Sequence, residues 1–157
     1  MSSTILSSKQ VADWILSKVN KSAGDTLSPL KLQKLLYYCQ AWHSTIFNKE
    51  LFDEKIEAWA HGPVVPSQYK RFSYIMIYDA IDVDKINIEK VSLPKETEDL
   101  LNEVLGIYGE HSAAYLEQLT HRERPWKETR GELDSYMASN REIPLSLMKE
   151  YYTSVNK

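Results

Sequence analysis

The chain has 157 residues, of which 43% are apolar and 26% charged, and its formal net charge is −3. This length suits one domain with one core. The small negative charge gives no bulk electrostatic attraction to nucleic acid or to an anionic membrane. No apolar run approaches the ~20 residues of a membrane span, and the N-terminus lacks the pattern of a signal peptide. With a single cysteine, no internal disulfide can form, so we expect a cytoplasmic protein.

Two serines mark the first helix starts. Ser7-Ser8-Lys9-Gln10 has the pattern of a capping box and is followed by apolar residues at helical spacing. Ser28-Pro29 places a capping serine before a proline at the first helical position, where the missing N–H is harmless. The second helix is predicted to bury an apolar stripe consisting of Leu32, Leu35, Leu36, Cys39 and Ile46.

The pattern changes after Asn48. Apolar and polar residues alternate from Ile56 to His61, which indicates a short strand or extended segment within residues 51–61. Gly62-Pro63 predicts a turn. Pro66 predicts a helix start, with Tyr69 and Phe72 on the inner face.

The stretch that follows is acidic. Residues 73–93 show no clear period, and residues 79–103 hold eight acidic side chains and three lysines, a local net charge of −5. We interpret this stretch as a solvated linker and helix surface. A docking site for a basic partner is the alternative.

The second half again reads as helices. Pro94 starts one that buries Leu101 and Val104 and ends near Gly109, and Ser112 caps the next. Pro125 is predicted to end an ambiguous stretch, a short turn or helix follows near 133–137, and a last helix begins after Ile143-Pro144. The predicted fold is mainly α: a compact single-domain bundle of about six or seven helices, more than half helical, with a minor β or extended element near 51–61.

Motifs that carry chemistry are missing from the sequence. The four histidines show no metal-binding spacing, and no nucleophile elbow, P-loop or dinucleotide fingerprint occurs. Glu54, Glu57 and His61 form an acid/base trio that no second element supports. We therefore expect no catalytic residues, no metal and no cofactor, hence a protein that is not an enzyme. Residues 122–130 carry a net charge of only +2, so nucleic acid is not an expected partner.

Seventeen aromatic residues, ten of them tyrosines, leave room for a binding face beside the core. Several motifs in a fixed order also resemble the Panacea-domain family, which includes phage- and mobile-element-associated GepA-like proteins and SocA-like antitoxins. The resemblance is carried by residues 11–16, 30–38, 40–42, 51–52, 56–59, 62–66, 108–109, 119–121 and 125–126, and it extends over residues 9–155.

The resemblance implies a function in binding rather than catalysis. It implies that residues 1–157 form a single Panacea-like domain, the antitoxin of a two-gene toxin–antitoxin system, which neutralises a partner toxin by direct protein–protein binding. A SocA-like proteolytic adaptor, which delivers a toxin to a protease, is one alternative, and a DNA-binding or regulatory module of a mobile element is another. From the length we expect no additional DNA-binding domain, and no membrane partner is expected.

Two sets of site residues follow. The family-signature set is Gln33, Lys34, Tyr37, Trp42, Glu57, Trp59, Gly62, Pro63, His121, Pro125 and Trp126. Within it we expect Gln33, Tyr37, Glu57 and His121 to form a structural network, because buried polar groups need partners; the alternative is that they line a partner-binding pocket. The candidate partner-binding set is Val64, Val65, Tyr69, Arg122, Arg124 and Arg130.

Overall fold

The computed structural model of the protein describes residues 5–156. Residues 1–4, on which part of the argument against a signal peptide rests, lie outside this range. The described helices are α1 (Ser8–Leu16), α2 (Pro29–Phe47), α3 (Pro66–Arg71), α4 (Lys95–Tyr108), α5 (Ala113–Arg122), α6 (Arg124–Arg130) and α7 (Leu145–Val155). The strands are β1 (Glu57–Trp59) and β2 (Gly62–Val64). The predicted mainly α fold with a minor β element is confirmed.

The first two predicted serine caps, like the third at Ser112, are present. The Ser7 Oγ accepts a hydrogen bond from the Gln10 backbone N–H at 3.0 Å, and the Gln10 side chain accepts one from the Ser7 N–H at 3.0 Å, which completes the capping box of α1. The Ser28 Oγ accepts from the Lys31 N–H at 3.2 Å. These bonds satisfy N–H groups that have no partner within the helix.

Helix α2 is the spine of the fold. It packs against α1, α3, α4, α5, α7 and β2, and residues 32–41 are buried on every side. Four members of the predicted apolar stripe are buried, but Ile46 is 45% exposed. The last turn of α2 extends beyond the core, and for this reason the helical periodicity overestimated the stripe.

Strands β1 and β2 form an antiparallel hairpin in which Trp59 pairs with Gly62 and Glu57 with Val64. The extended segment predicted near 51–61 is therefore β1, whereas β2 was not predicted. The turn occupies Ala60 and His61, two residues earlier than expected, and Gly62-Pro63 belongs to β2. An isolated bridge between Glu57 and Glu142 adds a short extended partner on the other side of β1.

The remaining elements enclose the core. Residues 73–93 contain one 3-10 turn (Val83–Lys85) between irregular stretches. Pro125 lies in the first turn of α6 and so begins a helix instead of ending a stretch, because proline fits where no N–H donor is needed. Residues 133–137 form turns. No described helix has both the length and the apolar character needed to cross a membrane.

Candidate functional site

Two glutamines of α2 hold extended backbone in place. The Gln33 Oε1 accepts from the Val65 N–H at 2.7 Å, and its Nε2 donates to the Val65 carbonyl at 3.2 Å. One heptad later, the Gln40 Oε1 accepts from the Leu51 N–H and its Nε2 donates to the Phe52 carbonyl, both at 2.7 Å. Side chains seven residues apart share a helix face. Both buried amides therefore pair with main chain as a neighbouring strand would.

Lys34 joins the hairpin to the same helix. It is completely buried, and its Nζ donates to the Pro63 carbonyl at 3.0 Å. Burial lowers the pKa of Lys34 to about 7, while the negative charge of Glu117 acts in the opposite direction. Gly62 has φ +106°, and a Cβ at that position would lie 2.6 Å from the Lys34 Cε. Glycine is thus required both by the backbone angle and by the close approach of the lysine.

Arg130 connects β1 with the loop between α6 and α7. It is 2% exposed; its Nη1 donates to the Ala58 carbonyl at 2.9 Å, and its Nη2 donates to the carbonyls of Asp134 and Met137 at 2.7 and 2.6 Å. Its guanidinium also lies 4.9 Å from the ring centre of Trp126. This residue, predicted to bind a partner, instead has an internal role in the described structure.

Trp126 links the aromatic members of the signature. Its Nε1 donates to the Trp59 carbonyl at 2.8 Å, and its ring stacks on His121 with centroids 3.9 Å apart. Desolvation by burial lowers the pKa of His121. Pro125 is buried beside this pair. These contacts fix α5 and α6 against the hairpin.

The network expected among Gln33, Tyr37, Glu57 and His121 does not form. Gln33 bonds to Val65, and Tyr37 shares a hydrogen bond with Tyr152 at 3.0 Å. Glu57 accepts from the Trp59 Nε1 at 2.8 Å, and His121 bonds to the Ala60 backbone. Within residues 5–156, no hydrogen bond joins any two of the four. Gln33, Tyr37 and Glu57 each have a separate partner, whereas the buried Nε2 of His121 has no hydrogen-bond partner among the described residues.

A different buried network was missed. One oxygen of Glu123 accepts from the hydroxyls of Tyr38 and Tyr152, both at 2.8 Å. Burial raises the pKa of Glu123, and the two tyrosine bonds partly offset this effect. The doublets 37–38 and 151–152 were the available signal, since buried tyrosines need acceptors. Nothing in the sequence identified Glu123, which lies between α5 and α6, as that acceptor.

The outer side of the hairpin is an aromatic surface with a groove. Trp59 is half-buried, and its ring makes an edge contact with the ring of Tyr69, with the ring centroids 4.8 Å apart. His61 is exposed at the turn. Trp59, Ala60 and His61 form one wall of a groove of about 520 Å³, and residues 138–140 form the other. We call Trp59, His61, Tyr69 and residues 138–140 the hairpin surface.

The other candidate partner-binding residues differ in exposure. Val64 at the end of β2 and Val65 directly after it are buried and present no side-chain surface. Arg122 is exposed, whereas Arg124 is exposed but paired with Glu128 and, at 3.2 Å, with Glu150. Trp42, the remaining signature residue, donates from its Nε1 to the Tyr108 hydroxyl at 2.9 Å, away from the hairpin.

The acid/base trio is dispersed. Glu54 accepts from the Ser67 hydroxyl and the Ser8 N–H, Glu57 accepts from Trp59, and His61 pairs with Glu117 at 3.2 Å. Among residues 5–156, no group of three or more His, Cys, Asp or Glu side chains is placed to hold a metal ion. Cys39 is buried, and burial raises the pKa of its thiol, which keeps the thiol protonated.

Comparison with known proteins identifies the family. A family model described as "Antitoxin SocA-like, Panacea domain" matches residues 32–127, which is more than half of the chain. The match runs from α2 through the hairpin to the first half of α6 and includes every signature residue named above. No curated protein matches the chain significantly, and no solved structure does. The chain therefore belongs to the SocA-like antitoxin family and contains its Panacea domain.

Proposed function

We propose that this protein is the antitoxin of a two-gene toxin–antitoxin system and neutralises its toxin by direct binding in the cytoplasm. The toxin gene would lie beside its own in a phage or other mobile element. The hairpin surface is the proposed contact region. One observation carries the proposal: the family signature holds an aromatic, grooved surface at the hairpin while its own polar groups are used internally.

The internal use of these groups argues for binding over catalysis. Near the signature, the polar side chains best suited to catalytic chemistry are those of Lys34, Arg130 and Gln33. Each of them is hydrogen-bonded to main-chain atoms. A general acid or base must be able to reach a substrate proton. Neutralisation requires only affinity, which a fixed surface supplies without any such group.

The chemistry of the hairpin surface suits a protein partner. Tyrosine and tryptophan are enriched among residues that dominate binding energy, and Trp59 and Tyr69 offer both at one place. The groove has room for a large apolar side chain from the partner, and the His61–Glu117 pair provides a polar edge. Because Gln33, Lys34 and Arg130 fix the surface beforehand, little ordering entropy is lost on binding.

Co-expression with the product of the neighbouring open reading frame tests the proposal. We expect the neighbour to be toxic alone, to be rescued by this chain and to co-purify with it. Replacing Tyr69 with alanine should weaken rescue and co-purification, because Tyr69 is 42% exposed and touches Trp59. The matched control is Tyr115→Ala, which removes a tyrosine that is 43% exposed and stacked on His111.

The outcomes separate the function from its location. A neighbour that is harmless, or toxic but neither bound nor rescued, would remove the antitoxin proposal. Rescue that Tyr69→Ala leaves intact would keep the antitoxin and exclude the hairpin surface. Rescue that disappears only when a host protease is deleted would support the adaptor mechanism instead.

A further inference from the structure

A second apolar groove lies on another part of the molecule. It has a volume of about 220 Å³ and lies between the C-terminal half of α2, one face of α4 and the end of α7. Its walls include Trp42 and Ile46 of α2 and Leu100, Val104 and Ile107 of α4. Ile46 and Ile107 are 45% and 54% exposed. Such an arrangement leaves apolar surface of two helices open to solvent along one line.

An acidic stripe borders the groove. On α4, the apolar residues 100, 104 and 107 recur at helical spacing. The acidic residues 96, 99 and 103 do so as well, and 99 and 103 each directly precede an apolar member. The two stripes are therefore adjacent on the helix, and Glu103 also lines the groove. Lys95 is the only basic residue of α4, and its Nζ is paired with Asp99 at 2.7 Å. One side of the groove is consequently negative.

We propose that this groove binds an amphipathic helix of a partner protein, with an apolar face that enters the groove and lysine or arginine residues that face the acidic stripe. An amphipathic helix packs its apolar face into a hydrophobic groove of this kind. The 14 residues of α4 span about 21 Å, enough to contact a partner helix of roughly four turns.

Charge distinguishes this occupant from a second copy of the chain. In a two-fold dimer the same patch meets itself, so the acidic stripe of one copy would approach the acidic stripe of the other. Like charges at close range are unfavourable, whereas a cationic helix gains from the same contact.

The inference goes beyond the proposed function, because the groove shares no residue with the hairpin surface. Trp42 lies about 12 Å along α2 from Lys34, the residue that holds the hairpin. Binding at the two places is therefore testable separately, and failure at one carries no consequence for the other.

A designed peptide tests the groove directly. The probe is a fluorescein-labelled helix of about 18 residues, with leucine on one face and lysine on the other, titrated into the purified full chain and followed by anisotropy. We expect saturable binding, weakened about tenfold by Ile107→Lys and by Glu103→Lys. Raising the salt concentration should also weaken the binding of the peptide to the wild type. The matched control, Met137→Lys, alters a side chain of similar exposure (45%) on the α6–α7 loop and should leave binding unchanged.

Other outcomes would overturn the proposal. Equal binding of a peptide with glutamate in place of lysine would show that charge does not select the occupant. Equal binding by the groove variants and by the wild type would place the peptide elsewhere. Concentration-dependent dimerisation that Ile107→Lys abolishes would assign the groove to a second copy. Circular dichroism checks that each variant is folded; Glu103→Gln, which keeps the size of the side chain, replaces any variant that is not.

Discussion

The hairpin region and the α4 face use their residues in opposite ways. At the hairpin, charged and amide side chains are buried and bound to main chain, as Lys34 is to Pro63 and Arg130 is to Ala58. On α4, apolar side chains such as Ile107 are exposed beside acidic ones. The first arrangement fixes geometry, since a buried polar group is costly unless it is paired. The second leaves apolar area available to a partner. Residue type alone therefore did not indicate which region is framework and which is surface.

At the hairpin, the largest expected effect is at Gly62. Gly62→Ala should lower the free energy of unfolding by about 3 kcal/mol, because φ +106° is unfavourable for alanine and the new Cβ meets Lys34. Chemical denaturation measures the change. The control is Gly24→Ala, where φ is +85° but no atom lies within 4 Å of the added Cβ. There we expect about 1–2 kcal/mol from the backbone alone. Equal losses of unfolding free energy at the two positions would mean that the contact with Lys34 does not affect stability.

Lys34 gives the next largest effect, visible as a pH dependence. Its folded pKa of about 7 lies below the ordinary value of 10.5, so between these values the unfolded chain holds a proton that the folded chain lacks. Wild-type stability should consequently gain about 1.4 kcal/mol per pH unit from this residue as pH rises above 7. Lys34→Met removes that gain.

Urea denaturation of both proteins at pH 7, 8 and 9 measures the slope. The stability of Lys34→Met relative to wild type should fall steadily with rising pH, and the titrations common to both proteins cancel in the difference. A difference that stays constant across this range would show that Lys34 remains protonated in the folded state.

Arg130→Leu should cost about 2–3 kcal/mol, because three main-chain carbonyls lose their donor. Thermal unfolding monitored by circular dichroism measures the loss. Arg124→Leu is the comparison, since Arg124 is exposed and its ion-pair partners within residues 5–156 are exposed glutamates. Surface pairs of that kind contribute little, so we expect a change below about 1 kcal/mol. A larger loss at Arg124 than at Arg130 would contradict the assignment of Arg130 to the framework.

The smallest effect is expected on the α4 face. Ile107→Ala should change the free energy of unfolding by less than about 0.5 kcal/mol, since its side chain is mostly in water already. Leu101→Ala in the same helix removes a fully buried side chain and should cost about 2–5 kcal/mol. Chemical denaturation of both variants measures the two changes in the free energy of unfolding. A large loss at Ile107 would mean that this face is part of the core.

Local signals predicted much of the fold. The caps at Ser7, Ser28 and Ser112 and the proline starts at Pro29 and Pro66 depend on nearby backbone chemistry, so the sequence alone sufficed to find them. β2 and α6 were missed because Pro63 and Pro125 were read as interruptions, whereas tertiary contacts place each inside an element. Ile46 was assigned to the core because periodicity gives a direction around the helix but not the point at which the core ends.

The site was only partly predictable, for a related reason. Gln33, Lys34 and Gly62 were placed in the signature set, but the partners of Gln33 were expected to be the side chains of Tyr37, Glu57 and His121. The actual partners are carbonyl and N–H groups, which every non-proline residue offers and which leave no mark in the sequence. Glu123 was missed because its tyrosine partners are 29 and 85 residues away.

The two glutamine clamps on α2 have a consequence for protein engineering. Gln40 and Gln33 are hydrogen-bonded to the main chain at residues 51–52 and 65. These bonds therefore do not depend on which side chains those positions carry. Exposed residues of the attached segments can therefore be replaced while these hydrogen bonds are kept, provided that residues 51, 52 and 65 keep their N–H groups. Segments with different exposed side chains can thus be held on α2 by the same main-chain hydrogen bonds.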